Sequence, residues 1–359
     1  MRRTELLPTE EFSTAGQDRP AIVQIVGPTD HWILEKLARV LVAKLPYASF
    51  SPWEPKRNGP AGLAYYVNYA LFQGSSSLVD VGFFTHRDDS QGFLERARAM
   101  DHCVSMARTT ADCLVAQGIR HGCHIPMGFD RTRYRPRLVL GVVGRTDHPR
   151  KGKTLIDAVR QMPSVEVRTT EGNFDERQLC DFYQALDYVL IASTVEGGPM
   201  CLLEGLGSGK PVIAPDDVGI VPEIADDSAV LRYRTGDVES LLAVVHGCLA
   251  RKRQIGQLVE GRSWDQWASD HDELFRRLLA ERGIDLPEPA PDFRFGLLDE
   301  VEIPLGVNTT RLEEIVDRAA RHLYFGESYA ADAVLTEALS EFPCLDPLRS
   351  SLCGPLSAV

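Results

Sequence analysis

The chain is short of the features that mark several protein classes. Its eight cysteines, at 103, 113, 123, 180, 201, 248, 344 and 353, include no CxxC pair. In 359 residues that scatter is neither a disulfide framework nor a zinc signature, and reduced cysteines fit it best. The HGCH run at 121–124 gathers soft ligands. Four adjacent loop residues cannot easily surround one ion, so it reads as a surface turn and no metal site is expected. Positive charge is in deficit: 39 Lys and Arg stand against 51 Asp and Glu, a net charge of −12. That excludes the basic surface of non-specific nucleic-acid binding and leaves room for a local basic pocket. Long apolar runs are absent too. LVLGVVG (138–144) falls far short of the ~20 residues a membrane span needs. The opening MRRTELLPTEEF lacks the apolar centre of a signal peptide. A cytoplasmic location is expected, with peripheral attachment at a membrane left open.

What is present is ordinary in bulk, 44% hydrophobic and 25% charged, and ordered in detail. The length predicts two main domains and an appendage. AIVQIVG (21–27) reads as a buried parallel strand, followed by the amphipathic helix HWILEKLARVLVAKLP with Asp30 placed to cap it. Further strands are predicted at 77–85 and 102–107, with a helix at 109–118. After the basic alternation RTRYRPR (131–137) a regular series begins. Strands at 138–144, 165–169, 187–193 and 211–215 alternate with helices at 154–162, 175–186 and 199–208. Such alternation implies right-handed crossovers and a parallel sheet. Helices at 238–253 and 264–283 close it. The expected divisions are a flexible arm at 1–20, an α/β domain at 21–136, a second at 137–283, a proline-rich linker at 284–297 and a helical appendage at 298–359. Gly326, Ala331, Leu335, Ala338 and Pro343 in the appendage are spaced like one tetratricopeptide repeat, which cannot bury a core alone. It is a docked element or a site for a protein partner.

The chemistry concentrates in the second series. VVGRTDHPRKGK (142–153) ends a strand on Gly144–Arg145 and then offers Lys151–Gly152. Two long cations at the carboxyl edge of a parallel sheet make a phosphate clamp. TVEGGPMCLLEGLGSGKPVIAP (194–215) adds a helix N-terminus behind Gly197, Gly198 and Pro199, where free amides and the helix dipole favour an anion. Glu196 and Glu204 can accept hydrogen bonds from the hydroxyls of a sugar and a ribose. Anion, cations and polyol acceptors together describe a nucleotide-sugar diphosphate.

The ordered set GR…RKG, EGGPMCLLEGLGSGKPVIA and DVGIVPEI (217–224) resembles retaining family 4 glycosyltransferases of the GT-B fold. CVSMARTTADCLVAQGI…IPMGFDRTRYRP (103–136) is similar to the segment joining the two domains of that family. The resemblance runs from about residue 80 to 283. It implies two Rossmann-like domains facing a cleft, with the helices beyond 297 as an addition. It also implies hexosyl transfer to an acceptor hydroxyl with retention of configuration and without a metal cofactor. By the same resemblance Arg145 and Lys151 hold the donor diphosphate. Glu196, with the backbone of Gly197, Gly198, Met200 and Cys201, positions sugar and phosphate, and Glu204 takes the ribose. His86, at a strand end in FFTHRDD (83–89), faces the acceptor side, and Gly27 contacts the donor phosphate. Catalysis is thus assigned to His86, Arg145, Lys151 and Glu196. The acceptor, whether small molecule, glycan or lipid-linked, is not specified. Two alternatives stay open: a GT-B sugar-nucleotide epimerase or phosphorylase, and a non-catalytic nucleotide-sugar-binding scaffold. The family usually has alanine where Gly205 and Gly207 stand, which predicts a helix less rigid or more closely approached than usual.

Overall fold

The computed structural model describes residues 22–352 except 31, 55–60, 76, 89, 225, 292, 302 and 305. The expected arm at 1–20 and Cys353 lie outside the described residues. In the first half, β1 (Val23–Gly27), α1 (Ile33–Lys44), β2 (Ala48–Pro52), β3 (Leu63–Tyr66) and β4 (Val79–Phe84) are followed by α2 (Gln91–Ala99), β5 (His102–Ser105), α3 (Arg108–Ala116) and β6 (Gly122–His124). The strands form a parallel sheet of order β2-β1-β3-β4-β5-β6. The central strands β3, β4 and β5 are fully buried because helices cover both faces, while the edge strands β2 and β6 are only partly buried. Ile25, Tyr65 and Phe83 pack beneath α1 on one face, while Tyr66, Phe84 and Phe93 fill the other. Asp30 does not serve as the N-cap of α1. It accepts the amide of Trp32 at 3.1 Å, and the helix starts behind Trp32 without a side-chain cap. The HGCH run, expected as a surface turn, supplies the edge strand β6.

The second half repeats the logic with β7 (Leu138–Val142), α4 (Lys153–Arg160), β8 (Val165–Thr169), α5 (Glu176–Gln184), β9 (Tyr188–Leu190), α6 (Met200–Gly207), β10 (Val212–Pro215), β11 (Val230–Tyr233) and α7 (Val238–Gln257). Its parallel sheet runs β11-β10-β9-β7-β8. Leu140, Ile156 and Val245 pack one face and Val189, Leu202 and Tyr183 the other. Both Rossmann-like sheets expected from the sequence are therefore present, followed by C-terminal helices α9 (Thr309–Tyr324), α10 (Ser328–Ala338) and α11 (Asp346–Leu352).

The division of the chain differs from the expected boundaries at 136 and 283. One compact unit takes the chain to Gly128 together with Trp264–Phe295 and Asp317–Ala331. The other takes Phe129–Ser263, Gly296–Val316 and the chain from Asp332. The helix α8 (Trp264–Ala280), expected to close the second domain, belongs to the first. Its apolar face explains this. Trp267, Leu274 and Phe275 join the core of the first sheet beside Ile25 and Tyr65. His271, fully buried on the same face, meets the Tyr65 hydroxyl at 2.8 Å and the Trp267 carbonyl at 2.7 Å. The proline-rich segment is tied down as well, since the Ala290 amide donates to the Tyr324 carbonyl at 2.9 Å and Leu286 is buried. Within the first unit Lys44 bridges Asp265 and Asp317 at 2.9 and 2.8 Å, docking α9 beside α8. Burial alone would lower its pKa, but the two carboxylates outweigh burial and hold the ammonium above its ordinary value.

Candidate active site

In the second sheet the chain leaves β7 to β8 on one side and reaches β9 on the other. The strand order therefore reverses between β7 and β9, and in open parallel sheets ligands bind outside the carboxyl ends at that point. The loops issuing from these two strands carry the motifs. After β7, Gly144 adopts φ +103°, a conformation natural only to glycine, and its amide donates to Thr170 Oγ1 at 2.9 Å. Arg145 is exposed, and its stem lies against Gly172. The turn Pro149–Lys151 then brings Lys151 back over Gly144. Lys151 Nζ reaches Glu196 Oε1 at 2.6 Å.

Two glycines hold this contact in place. Gly152 has φ +65°, and a Cβ there would stand 2.0 Å from the Ala192 carbonyl oxygen. Gly219 has φ +55°, and a Cβ there would stand 2.6 Å from the Gly197 carbonyl oxygen. The KG and DVG motifs are thus packed against the strand of chain that carries Glu196, and no side chain fits at either position. Thr194 donates its amide to the Arg150 carbonyl at 3.0 Å, which joins the two loops directly.

The opposite situation holds where α6 begins. Gly197 and Gly198 are exposed, with no atom within 4 Å of a Cβ at Gly197. Pro199 occupies the N-cap itself, one position before its expected place, and no side chain caps the helix. The first amides, at Met200 and Cys201, have no capping side chain and carry the positive end of the helix dipole. Burial pushes the Cys201 thiol up to about 11, so it stays neutral near pH 7. Burial acts to raise the Glu196 carboxyl as well. Hydrogen bonds from Lys151 and Ser193, with the charges of Lys151 and Arg150, outweigh it and hold the group below its ordinary value. Glu196 is therefore an anion engaged by Lys151 and Ser193. A lysine ammonium has three donors, so Lys151 keeps two after bonding Glu196.

Glu204, one turn into α6, accepts the Tyr183 hydroxyl at Oε2, 2.6 Å away. Tyr183 is buried on α5, and burial followed by the carboxylate raises its pKa, so it remains a donor. Sequence reasoning missed Tyr183, because it lies 21 residues before Glu204 and only the apolar face of α5 marked it. Ser193, buried three residues before Glu196, was missed because it ends the apolar run 187–193 that reads only as a strand. The glycines of α6 have different explanations. A Cβ at Gly205 would come within 2.8 Å of Val189 Cγ2, so this glycine brings the helix close to the sheet and makes no room for a ligand. Nothing stands within 4 Å of a Cβ at Gly207.

His86 and Gly27 belong to the first unit. His86 follows β4, is exposed, and lies 2.9 Å by Nδ1 from the Thr85 hydroxyl, with its ring 5.8 Å from that of Tyr69. Gly27 ends β1, where a Cβ would meet Ala38 at 3.0 Å and Phe50 and Val67 at 3.3 Å. Close packing accounts for that glycine without a ligand.

Residues 129–251 match the glycosyl transferases group 1 family. The whole second sheet lies within the matched residues. The matched stretch contains Gly144 through Glu204, that is, the whole corner just described. The chain is also 29% identical over 165 residues to a probable transglycosylase of Burkholderia thailandensis. That match takes in 42% of this chain and 45% of the relative, so the chain spans under half of the relative's length. Among solved structures, it is similar to sucrose-phosphate synthase of Thermosynechococcus elongatus (16% identity, 62% of this chain and 74% of that one, TM-score 0.29). It is similar also to HepE of Anabaena in complex with UDP and glucose (12% identity, 71% and 99%, TM-score 0.30). Among the described residues, no helix is long and apolar enough to cross a membrane.

Proposed function

We propose that the chain transfers a hexosyl group from a nucleotide-diphosphate sugar to an acceptor hydroxyl, with retention of configuration and without a metal ion. The observation that carries this is the juxtaposition of Lys151, Glu196 and the uncapped start of α6 at the switch point of the second sheet. The donor diphosphate lies against Lys151, Arg145 and the amides of Met200 and Cys201. Gly197 and Gly198 let it approach the backbone. Glu196 orients the sugar and Glu204, steered by Tyr183, accepts the ribose hydroxyls. On the first unit His86 takes the acceptor side. The name of the Burkholderia relative is in keeping with glycosyl transfer.

In the reaction the bond between the anomeric carbon and the phosphate oxygen breaks while the acceptor oxygen bonds that carbon on the same face. The acceptor's proton passes to the departing phosphate. Negative charge grows on that phosphate, where a preorganised donor is worth ~3–4 kcal/mol of barrier. Glu196 is already engaged by Lys151 and Ser193, which suits orientation better than nucleophilic attack. The described cysteines are all free, in keeping with the cytoplasm. A thermal-shift panel of UDP-, GDP- and dTDP-sugars tests donor recognition, since a ligand bound only to the folded state raises its stability. One nucleotide class should stabilise the protein selectively. No stabilisation by any of them, or a glycosyl adduct trapped on Glu196, overturns the reading.

A further inference from the structure

The end of α7 leaves a feature that donor chemistry does not use. A groove of about 640 Å³ lies within the second unit between the 129–137 segment and the last turns of α7. Arg131, Arg135, Arg137, Lys252 and Arg253 line it, against the single acid Glu260. A local excess of this kind stands out in a chain of net charge −12. Asp299, Glu166 and Asp187 pair with Arg131, Arg137 and Lys252 from outside the lining. Arg253 is exposed and makes no ion pair among the described residues.

Apolar side chains project from the same rim. Ile255 is 70% exposed, Leu258 83% and Val259 40%, and Tyr134 across the groove is 65% exposed. Ile255 and Leu258 are three residues apart on one side of the helix end, where the Leu258 amide donates to the Ile255 carbonyl. Leu258 lies outside the groove lining and stands proud of it. Burying none of this surface forgoes stabilisation, so contiguous exposure of such residues marks an interaction site.

We propose that this rim docks the protein on an anionic lipid bilayer. Three features favour a membrane over another partner. The apolar residues are convex tips, which enter a soft lipid interface but find no complementary hollow in an average peptide. Tyrosine at the rim is the amphipathic type that settles at headgroup depth. Arg253, exposed beside the tips and in no ion pair among the described residues, matches an anionic headgroup, worth roughly fivefold in partitioning. A nucleic acid would gain nothing from Ile255 and Leu258. The inference does not rest on the donor reading, because none of its residues contacts the diphosphate corner.

Co-sedimentation of the full chain with vesicles tests it. The wild type should bind vesicles of phosphatidylcholine with phosphatidylglycerol, leave them as salt rises, and ignore phosphatidylcholine alone. The exposed double variant Ile255→Ser/Leu258→Ser should lose roughly tenfold or more of the binding, and Arg253→Ser about fivefold. Thermal unfolding and donor stabilisation of both variants should match the wild type, which separates this outcome from failure of the donor site. Equal binding to neutral vesicles, no binding, or retention by the double variant overturns the proposal. So does release by inorganic phosphate at matched ionic strength. A dimer in the absence of lipid that Leu258→Ser dissolves would assign the face to a second copy, and overturns it equally.

Discussion

Replacing Lys151 by methionine keeps most of the side chain's volume and removes its charge. The lysine and Glu196 are 29% and 21% exposed, so their 2.6 Å pair is partly screened and contributes less than about 1 kcal/mol to folding. Toward a bound diphosphate the same ammonium supplies charge-assisted hydrogen bonds worth about 1.5–3 kcal/mol. That is roughly a 10- to 150-fold loss of donor affinity. The variant also leaves Glu196 facing the ligand without its cation, which adds repulsion. Lys151→Met should therefore unfold within a degree or two of the wild type and bind the preferred nucleotide sugar at least tenfold more weakly by titration calorimetry. The double variant Lys151→Met/Glu196→Gln should recover part of that loss, because neighbours that share a contact are not additive. Unchanged affinity in Lys151→Met refutes the clamp. A large fall in melting temperature with proportionate loss of affinity would make the pair a structural one instead.

Glycines offer a matched pair: Gly152→Ala, at φ +65° with its Cβ 2.0 Å from the Ala192 oxygen, should destabilise by about 2–4 kcal/mol in urea titrations. Gly207→Ala, with open space around it near the end of α6, should stabilise by up to ~1 kcal/mol. Tyr183→Phe removes the donor held to Glu204 Oε2 at 2.6 Å and should weaken donor binding by about three- to tenfold, with Glu204→Gln as the comparison. Buried His271 is pushed down to about 4 from an ordinary 6.5 by desolvation. The unfolded chain then takes up a proton that the fold does not, so stability falls as pH drops below 6.5 and levels near 4. The loss amounts to about 3 kcal/mol. Urea unfolding at several pH values should show this slope, and His271→Gln should flatten it.

Most of the second sheet was readable because β7, β9 and β10 lie in apolar runs and the helices between them repeat at helical spacing between polar turns. Lys151, Glu196 and Glu204 stood out as candidates for a related reason: charge beside so much glycine contradicts what packing alone would select. Where periodicity is short, reading failed. β2, β3, β6 and β11 are three to five residues long, too brief to establish a period. Gly205 was expected to let its helix be approached closely, and only the structure shows that the sheet, at Val189, is what approaches it.

Local chemistry in the chain was enough to determine two parallel sheets and which loops bear cations, carboxylates and bare backbone. Those properties depend on residue type and on neighbours a few positions away. Three matters were left to tertiary structure: that α8 joins the first sheet, that Gly152 and Gly219 wedge the Glu196 segment between them, and that Tyr183 holds Glu204. Each is a contact between segments distant in sequence, decided by which apolar face remained uncovered and which backbones could approach. Alternation and spacing carry no trace of that competition, since burial is settled only once the competing surfaces meet.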